Sequence, residues 1–232
     1  MTEDTRERFV VVADDYGIRQ TAEPILRLVR EGKIDRVSVL IHYVSHEQAE
    51  ALLATGVKID LHLELIGLLK RGYKMHENTF LRGANFLWRY FFGLLTAKKV
   101  ETEWRDQIER FHELFRRYPD GLNSHEYVHH FPKFFRVFLG LAKRYDIGYV
   151  RFGKKGMLTD MHSALVGNIL SFLWKQTKTS YEKQPVPTSD YLVSFDWFGD
   201  FNAFAKQVPQ GPIELVVHPE REDEYRALLE YL

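Results

Sequence analysis

Five ionisable residues stand where short apolar runs end. Asp14 and Asp15 follow residues 9–13 (FVVVA), His62 lies in DLHLEL, His125 follows residues 121–124, and His218 follows residues 213–217. Core packing gives no reason for ionisable groups at that repeated place. A carboxylate with two imidazoles supplies three ligands for a borderline divalent cation such as Zn²⁺ and leaves a position open for water or a substrate oxygen. Of two adjacent carboxylates at a strand end, one can bind the cation while the other takes a proton. Since a cation lowers the pKa of water it holds, such a set would hydrolyse near neutral pH.

Each of these residues also has a plainer reading. An Asp-Asp pair after a strand serves as a turn former or a helix N-cap. His62 would fit as a core histidine bonded to backbone, and His218 as a satisfied histidine before the turn at Pro219. The segment from Ser124 to His130 is more specific, because it sets His125, His129 and His130 within six residues at a strand end. Of the other histidines, His46, His76, His112 and His162 read as surface residues, and His42 is ambiguous.

The elements that must position these groups alternate. Apolar β-branched runs predict strands near residues 9–13, 37–41, 58–63, 121–124, 149–151, 191–195 and 213–217. Helical spacing predicts helices near 21–31, 46–54, 101–118, 132–145, 161–175 and 222–231. Strand-then-helix order implies an α/β fold of parallel strands with helices outside, and about seven strands suit a closed or nearly closed (β/α) barrel. In such a barrel the strand C-terminal ends converge on one face, where residues distant in sequence can meet. No boundary divides the chain, so one domain covers residues 1–232. Breakers gather in residues 176–190, with Pro185 and Pro187. Residues 66–100 are long for one connection and aromatic, which predicts a lid or side wall over one barrel end.

Composition narrows the chemistry. With 232 residues, 45% of them apolar, the chain can build one substantial core. It has 32 Lys plus Arg against 32 Asp plus Glu, which argues against a nucleic-acid partner and for a small neutral substrate. The absence of cysteine removes thiolate ligands and nucleophiles, so a cation must be held by His and carboxylates. Residues 1–8 are charged and lack a signal-peptide pattern, from which a cytoplasmic location is expected. The apolar stretch 86–95 is too short to span a bilayer and carries Arg89.

Four segments in order, Ala13-Asp14-Asp15-Tyr16-Gly17, Leu61-His62-Leu63-Glu64-Leu65, Ser124 to Pro132, and Val217-His218-Pro219, resemble the signature regions of the YdjC-like carbohydrate deacetylase family, whose best-known members are chitooligosaccharide deacetylases. The resemblance runs from about Phe9 to Glu220. It implies a distorted β/α barrel and a metal-dependent hydrolase (Zn or Mg) that removes an acetyl group from an N-acetylated sugar. Asp14 matches the general base, Asp15, His62 and His125 match the metal ligands, and His218 matches the residue that protonates the leaving amine or stabilises the oxyanion. Arg151 matches a family arginine that orients Asp14 or binds substrate; a structural pairing with a buried carboxylate is the alternative. Tyr16, Tyr127, His129, Trp197 and Phe198 are expected near the substrate, with core packing as the competing role for the aromatics.

This chain departs from the family pattern at several places. Asn123 stands for an aspartate, Glu126 and Tyr127 for two histidines, Asp60 and Leu61 where a glycine is usual, Glu220 for a glycine, and His42 for an asparagine. The metal set survives, whereas the identity of the sugar is put in doubt. The aromatic stretch 80–95, with Trp88, Tyr90, Phe91 and Phe92, would suit an amphiphilic, glycolipid-type substrate at a membrane surface. It would equally suit a helix packed on the barrel or the contact of a homodimer. A non-catalytic sugar- or metal-binding relative would share the motifs too, although binding alone needs neither the base Asp14 nor the acid His218.

Overall fold

The structure, a computed structural model, describes residues 6–18, 20–69, 79–159 and 164–231. His76, His162 and the expected start of a helix at Met161 lie outside them. The chain forms an α/β, TIM-like distorted barrel, a single domain whose seven strands are all parallel. The strands are β1 (Phe9–Tyr16), β2 (Arg36–Val39), β3 (Lys58–Leu63), β4 (Gly121–Ser124), β5 (Gly156–Met157), β6 (Tyr191–Ser194) and β7 (Ile213–Val217). Their order is β4-β3-β2-β1-β7-β6-β5, which puts β1, with the two aspartates, at the centre.

Helices cover the outside: α1 (Ala22–Arg30), α2 (His46–Leu53), α3 (Ile66–Leu69), α4 (Thr79–Phe91), α5 (Ala97–Phe115), α6 (Pro132–Arg144), α7 (Ala164–Lys183), α8 (Phe201–Ala205) and α9 (Glu222–Tyr231). Helix α2 starts in a reciprocal capping box between Ser45 and Gln48. Helix α6 starts with Pro132 in its first turn and buries Phe134, Phe135 and Phe138 against the sheet. Complete burial of one such ring contributes about 1.5–3 kcal/mol.

Two expectations change here. Residues 149–151 form no full strand: Val150 makes a single parallel bridge to Leu122, while its amide donates to the Pro187 carbonyl at 2.9 Å. This segment joins β4 to the chain entering β6, but Pro185 and Pro187 have no amide to extend a ladder, so closure is irregular. The expected loop at 176–190 is shorter, because α7 runs on to Lys183 and only the prolines beyond it break the helix.

One departure from the family pattern has a packing cause. Buried Asp60 accepts two hydrogen bonds from Arg36, at 2.8 and 2.6 Å. Opposite it, a Cβ at Gly121 would meet the Asp60 carboxylate at 2.6 Å, so the neighbouring strand must carry glycine there.

Candidate active site

The strand C-terminal ends open into a cavity of about 720 Å³ whose lining includes Asp14, Asp15, His62, His125 and His218. In a regular strand, Asp14 and Asp15 would point to opposite faces. Here the pairing of β1 with β2 slips between Ala13 and Tyr16, and Asp15 takes a left-handed backbone with φ 64°. This bulge re-aims both carboxylates at the cavity. Thr21, on the loop before α1, holds the turn by donating its hydroxyl to the Asp15 carbonyl at 2.8 Å and accepting from the Gly17 amide. Gly17 has φ 106°, and a Cβ there would meet Val44 at 2.5 Å, so a side chain would push the turn apart.

Asp15 Oδ1 lies 3.1 Å from His125 Nδ1 and 3.4 Å from His62 Nε2, and those two nitrogens are 3.4 Å apart. A tetrahedral cation with bonds of about 2.0–2.1 Å has ligand-to-ligand edges of about 3.3–3.4 Å, so these three donors fit a Zn²⁺-type ion in kind and in spacing. His62 is turned toward this point by a short hydrogen bond from Nδ1 to the Asn123 side-chain oxygen, and Asn123 in turn donates to Ser38 Oγ at 2.7 Å. That outer layer fixes the His62 tautomer and leaves Nε2 free to ligate. Burial alone would raise the Asp15 pKa, but His125 and His62 bring it well below the usual range.

Asp14 stands beside this set, its Oδ2 3.7 Å from His62 Nε2. Its two oxygens accept from Arg151 Nη1 and Nη2 at 2.7 and 2.8 Å, and Arg151 Nε donates to Glu214 at 2.5 Å. Burial opposes ionisation of Asp14, yet Arg151 outweighs it and holds the pKa at about 2. All three guanidinium nitrogens are thus committed to carboxylates, and Arg151 is only 1% exposed. Of the two expected roles, the bidentate grip matches the one of orienting Asp14, and Arg151 does not line the cavity.

His218 sits at the mouth of β7, with its amide donating to Glu224 on α9 at 2.7 Å and its Nδ1 3.7 Å from the same carboxylate. Burial favours the neutral ring, but Glu224, with Asp15 and Asp14 beyond it, pushes the pKa up to about 9. At neutral pH this imidazole is an acid and Asp14 an ionised base, two titrating groups whose environments force their pKa values apart.

The histidine cluster divides. Successive left-handed residues, Glu126 and Tyr127, turn the chain so that only His125 lines the cavity, while His129 and His130 enter the core. His129 stacks on Phe138 and is held between Ser124 Oγ and the Arg151 carbonyl. A carbonyl can only accept, so His129 Nε2 carries the proton, and burial keeps the ring neutral with its pKa well below 6.5. His130 stacks near Phe135 and Phe152, and burial lowers its pKa to about 3. Of the three histidines, His129 and His130 thus lie in the core, and the expected substrate residue His129 does not line the cavity. Tyr16 is also fully buried, donating to the Gln48 carbonyl, and Phe198 stacks on Phe204 at 3.9 Å. Tyr127 and Trp197 do line the cavity, with ring centroids 5.6 Å apart.

Three supporting carboxylates lie outside the expected set. Glu214 interrupts the apolar strand IELVV, which is a signal; Glu224 lies in an acidic first turn and gives none. Glu64 is buried beside the ligand set, 3.7 Å from His42, its pKa raised by burial although the nearby histidines oppose the rise.

The fold and this cluster define a class: an α/β barrel carrying a three-residue site able to hold a metal ion, with a further carboxylate and histidine lining the same cavity. A profile of the family described as "YdjC-like protein" matches residues 8–230, and the chain belongs to that family. It is 31% identical over 153 residues to a protein named carbohydrate deacetylase from Danio rerio, covering 62% of this chain and 49% of that one. It is 27% identical over 174 residues to a chitooligosaccharide deacetylase from Escherichia fergusonii, covering 71% and 66%. The matched segment thus spans about half of the first relative's length and two thirds of the second's. Among solved structures, a putative cellobiose-phosphate cleavage protein from Enterococcus faecalis V583 shares the fold with a TM-score of 0.61 at 18% identity, covering 90% of this chain and 80% of that one.

Proposed function

We propose that this chain is a metal-dependent hydrolase that removes the acetyl group from an N-acetylated sugar. The observation that carries the reading is the near-equilateral triangle of Asp15, His62 and His125 donors, with Asp14 and His218 lining the same cavity. The names of the relatives support a carbohydrate substrate.

Asp15, His62 and His125 would hold a divalent cation, Zn²⁺ by donor type or Mg²⁺, which when bound supplies Lewis-acid polarisation of the acetyl carbonyl. Asp14, kept ionised by Arg151, accepts a proton from the water that attacks the carbonyl carbon. The C–N bond breaks as protonated His218 gives its proton to the departing nitrogen, so acetate and a free amine result. Tyr127 and Trp197 offer ring faces on which a sugar can rest. Of the expected side wall at 66–100, residues 70–78 lie outside the described residues; Phe86 and Leu87 of α4 line the cavity and would bound the substrate on that side.

The test is elemental analysis of the purified protein combined with acetate release from a panel of N-acetylated mono- and oligosaccharides. Release that chelation abolishes and cation restores is expected. A cation-loaded protein that frees acetate from none of them would overturn the reading in favour of a binding-only relative.

A further inference from the structure

The cavity changes character from floor to mouth. Below are the carboxylates and imidazoles; above, Phe86 and Leu87 of α4 face Ile169, Leu170 and Leu173 of α7. Beyond the rim the same two helices and the turn after α4 expose Trp88 (53%), Phe91 (76%), Phe92 (70%), Leu94 (43%) and Phe172 (60%). With Leu87 and Ile169, which line the cavity, these make seven of the eleven large apolar side chains exposed among the described residues, all on α4, the turn after it or α7. Scattered exposed apolar residues need no explanation, but a contiguous patch at the entrance of a site does.

Charge supplies the second observation. Residues 79–100 and the whole of α7 contain Arg82, Arg89, Lys98, Lys99, Lys175, Lys178 and Lys183 against a single acid, Glu182, although acids and bases balance over the whole chain. Lys98, Lys99 and Lys175 are exposed. Aromatic residues beside lysines, with bases far outnumbering acids, complement a surface that is apolar beneath and anionic at its headgroups. No helix among the described residues is long and apolar enough to cross a membrane, so such contact would be peripheral.

We infer that the α4–α7 rim docks on an anionic lipid surface and that the apolar upper wall receives the lipid-proximal part of an amphiphilic, acetylated amino-sugar substrate. This rests on the proposed reaction for its substrate, but the docking does not depend on turnover. The membrane presents the sugar downward to the polar floor, while the acyl or isoprenoid portion stays against Leu87, Ile169 and Leu173.

The experiment is co-sedimentation of the full chain with vesicles of phosphatidylcholine alone and of phosphatidylcholine with about one-third phosphatidylglycerol, at low and high salt. Binding is expected to the anionic vesicles and to weaken with salt. The double variant Phe91→Ser/Phe92→Ser, which alters only exposed rings, should lose about tenfold or more of that binding, and Lys98→Glu/Lys99→Glu a similar amount. Both should release acetate from a soluble N-acetylated oligosaccharide as the parent does. Failure to bind anionic vesicles, or equal binding by the variants, would overturn docking even with deacetylation intact. So would a parent that is a dimer in solution and becomes monomeric in Phe91→Ser/Phe92→Ser, since a second copy would then be the occupant. Vesicle binding without acetate release from any sugar would instead remove the reaction and leave the surface.

Discussion

At the floor of the cavity, buried charges are locked into pairs between segments far apart in sequence, as in Asp14–Arg151–Glu214. At its mouth, Phe91, Phe92 and Phe172 stand more than half exposed. The floor is expensive to rearrange, because freeing any member leaves an uncompensated buried charge. That cost preorganises the groups on which chemistry depends. The mouth carries no such penalty, and its side chains can change with little effect on folding. The proposed chemistry and the inferred docking surface thus occupy regions that differ widely in what a side-chain change costs the fold.

Substitutions at the floor should break this contrast most severely. Asp15→Ala is expected to lose bound cation and to lower turnover by about 10⁴-fold or more. Asp14→Asn should keep the cation, by elemental analysis, yet lose about 10³-fold in acetate release. Full activity in either would remove its assigned role. Arg151→Met strands Asp14 and Glu214 together and should cost about 3–5 kcal/mol of stability, seen as a fall of roughly 10 °C in the thermal midpoint. An unchanged midpoint would show that the floor is less rigid than its pairing implies.

A finer test concerns the outer layer. Asn123→Ala leaves every ligand in place but frees the His62 ring, and a loss of about 10- to 100-fold in cation affinity is expected from titration. The smallest effect is one of pH. His218 has its folded pKa raised from 6.5 to about 9, so the stability it contributes is complete below pH 6.5 and disappears as pH climbs through about 9. Activity that needs its proton should fall over the same upper range. In Glu224→Gln the largest charge holding that proton is gone, and the fall should move down toward pH 6.5. A profile unmoved by this substitution would assign the alkaline limb to another group.

Much of this architecture is legible in local pattern. Continuous β-branched runs mark buried parallel strands, and the ends of those runs mark where their chemistry must emerge, which is how Asp14, Asp15, His62, His125 and His218 are found without coordinates. Local pattern is silent on direction, however. His125, His129 and His130 look equivalent in sequence, and two left-handed residues between them send one to the cavity and two to the core. Tyr16 and Tyr127 both adjoin strand ends, yet only the second lines the cavity.

By itself the sequence determined the order of elements, the donor types available to a cation and the absence of any thiol alternative, because periodicity, residue chemistry and composition are properties of the chain. Only the tertiary structure decided which groups partner one another. Asn123 steadies His62 across 61 positions and Arg151 holds Asp14 across 137, contacts that no local spacing encodes. It also decided that the apolar residues of α4 and α7 share one rim, since helices far apart in the chain become neighbours only when the barrel brings them to the same end.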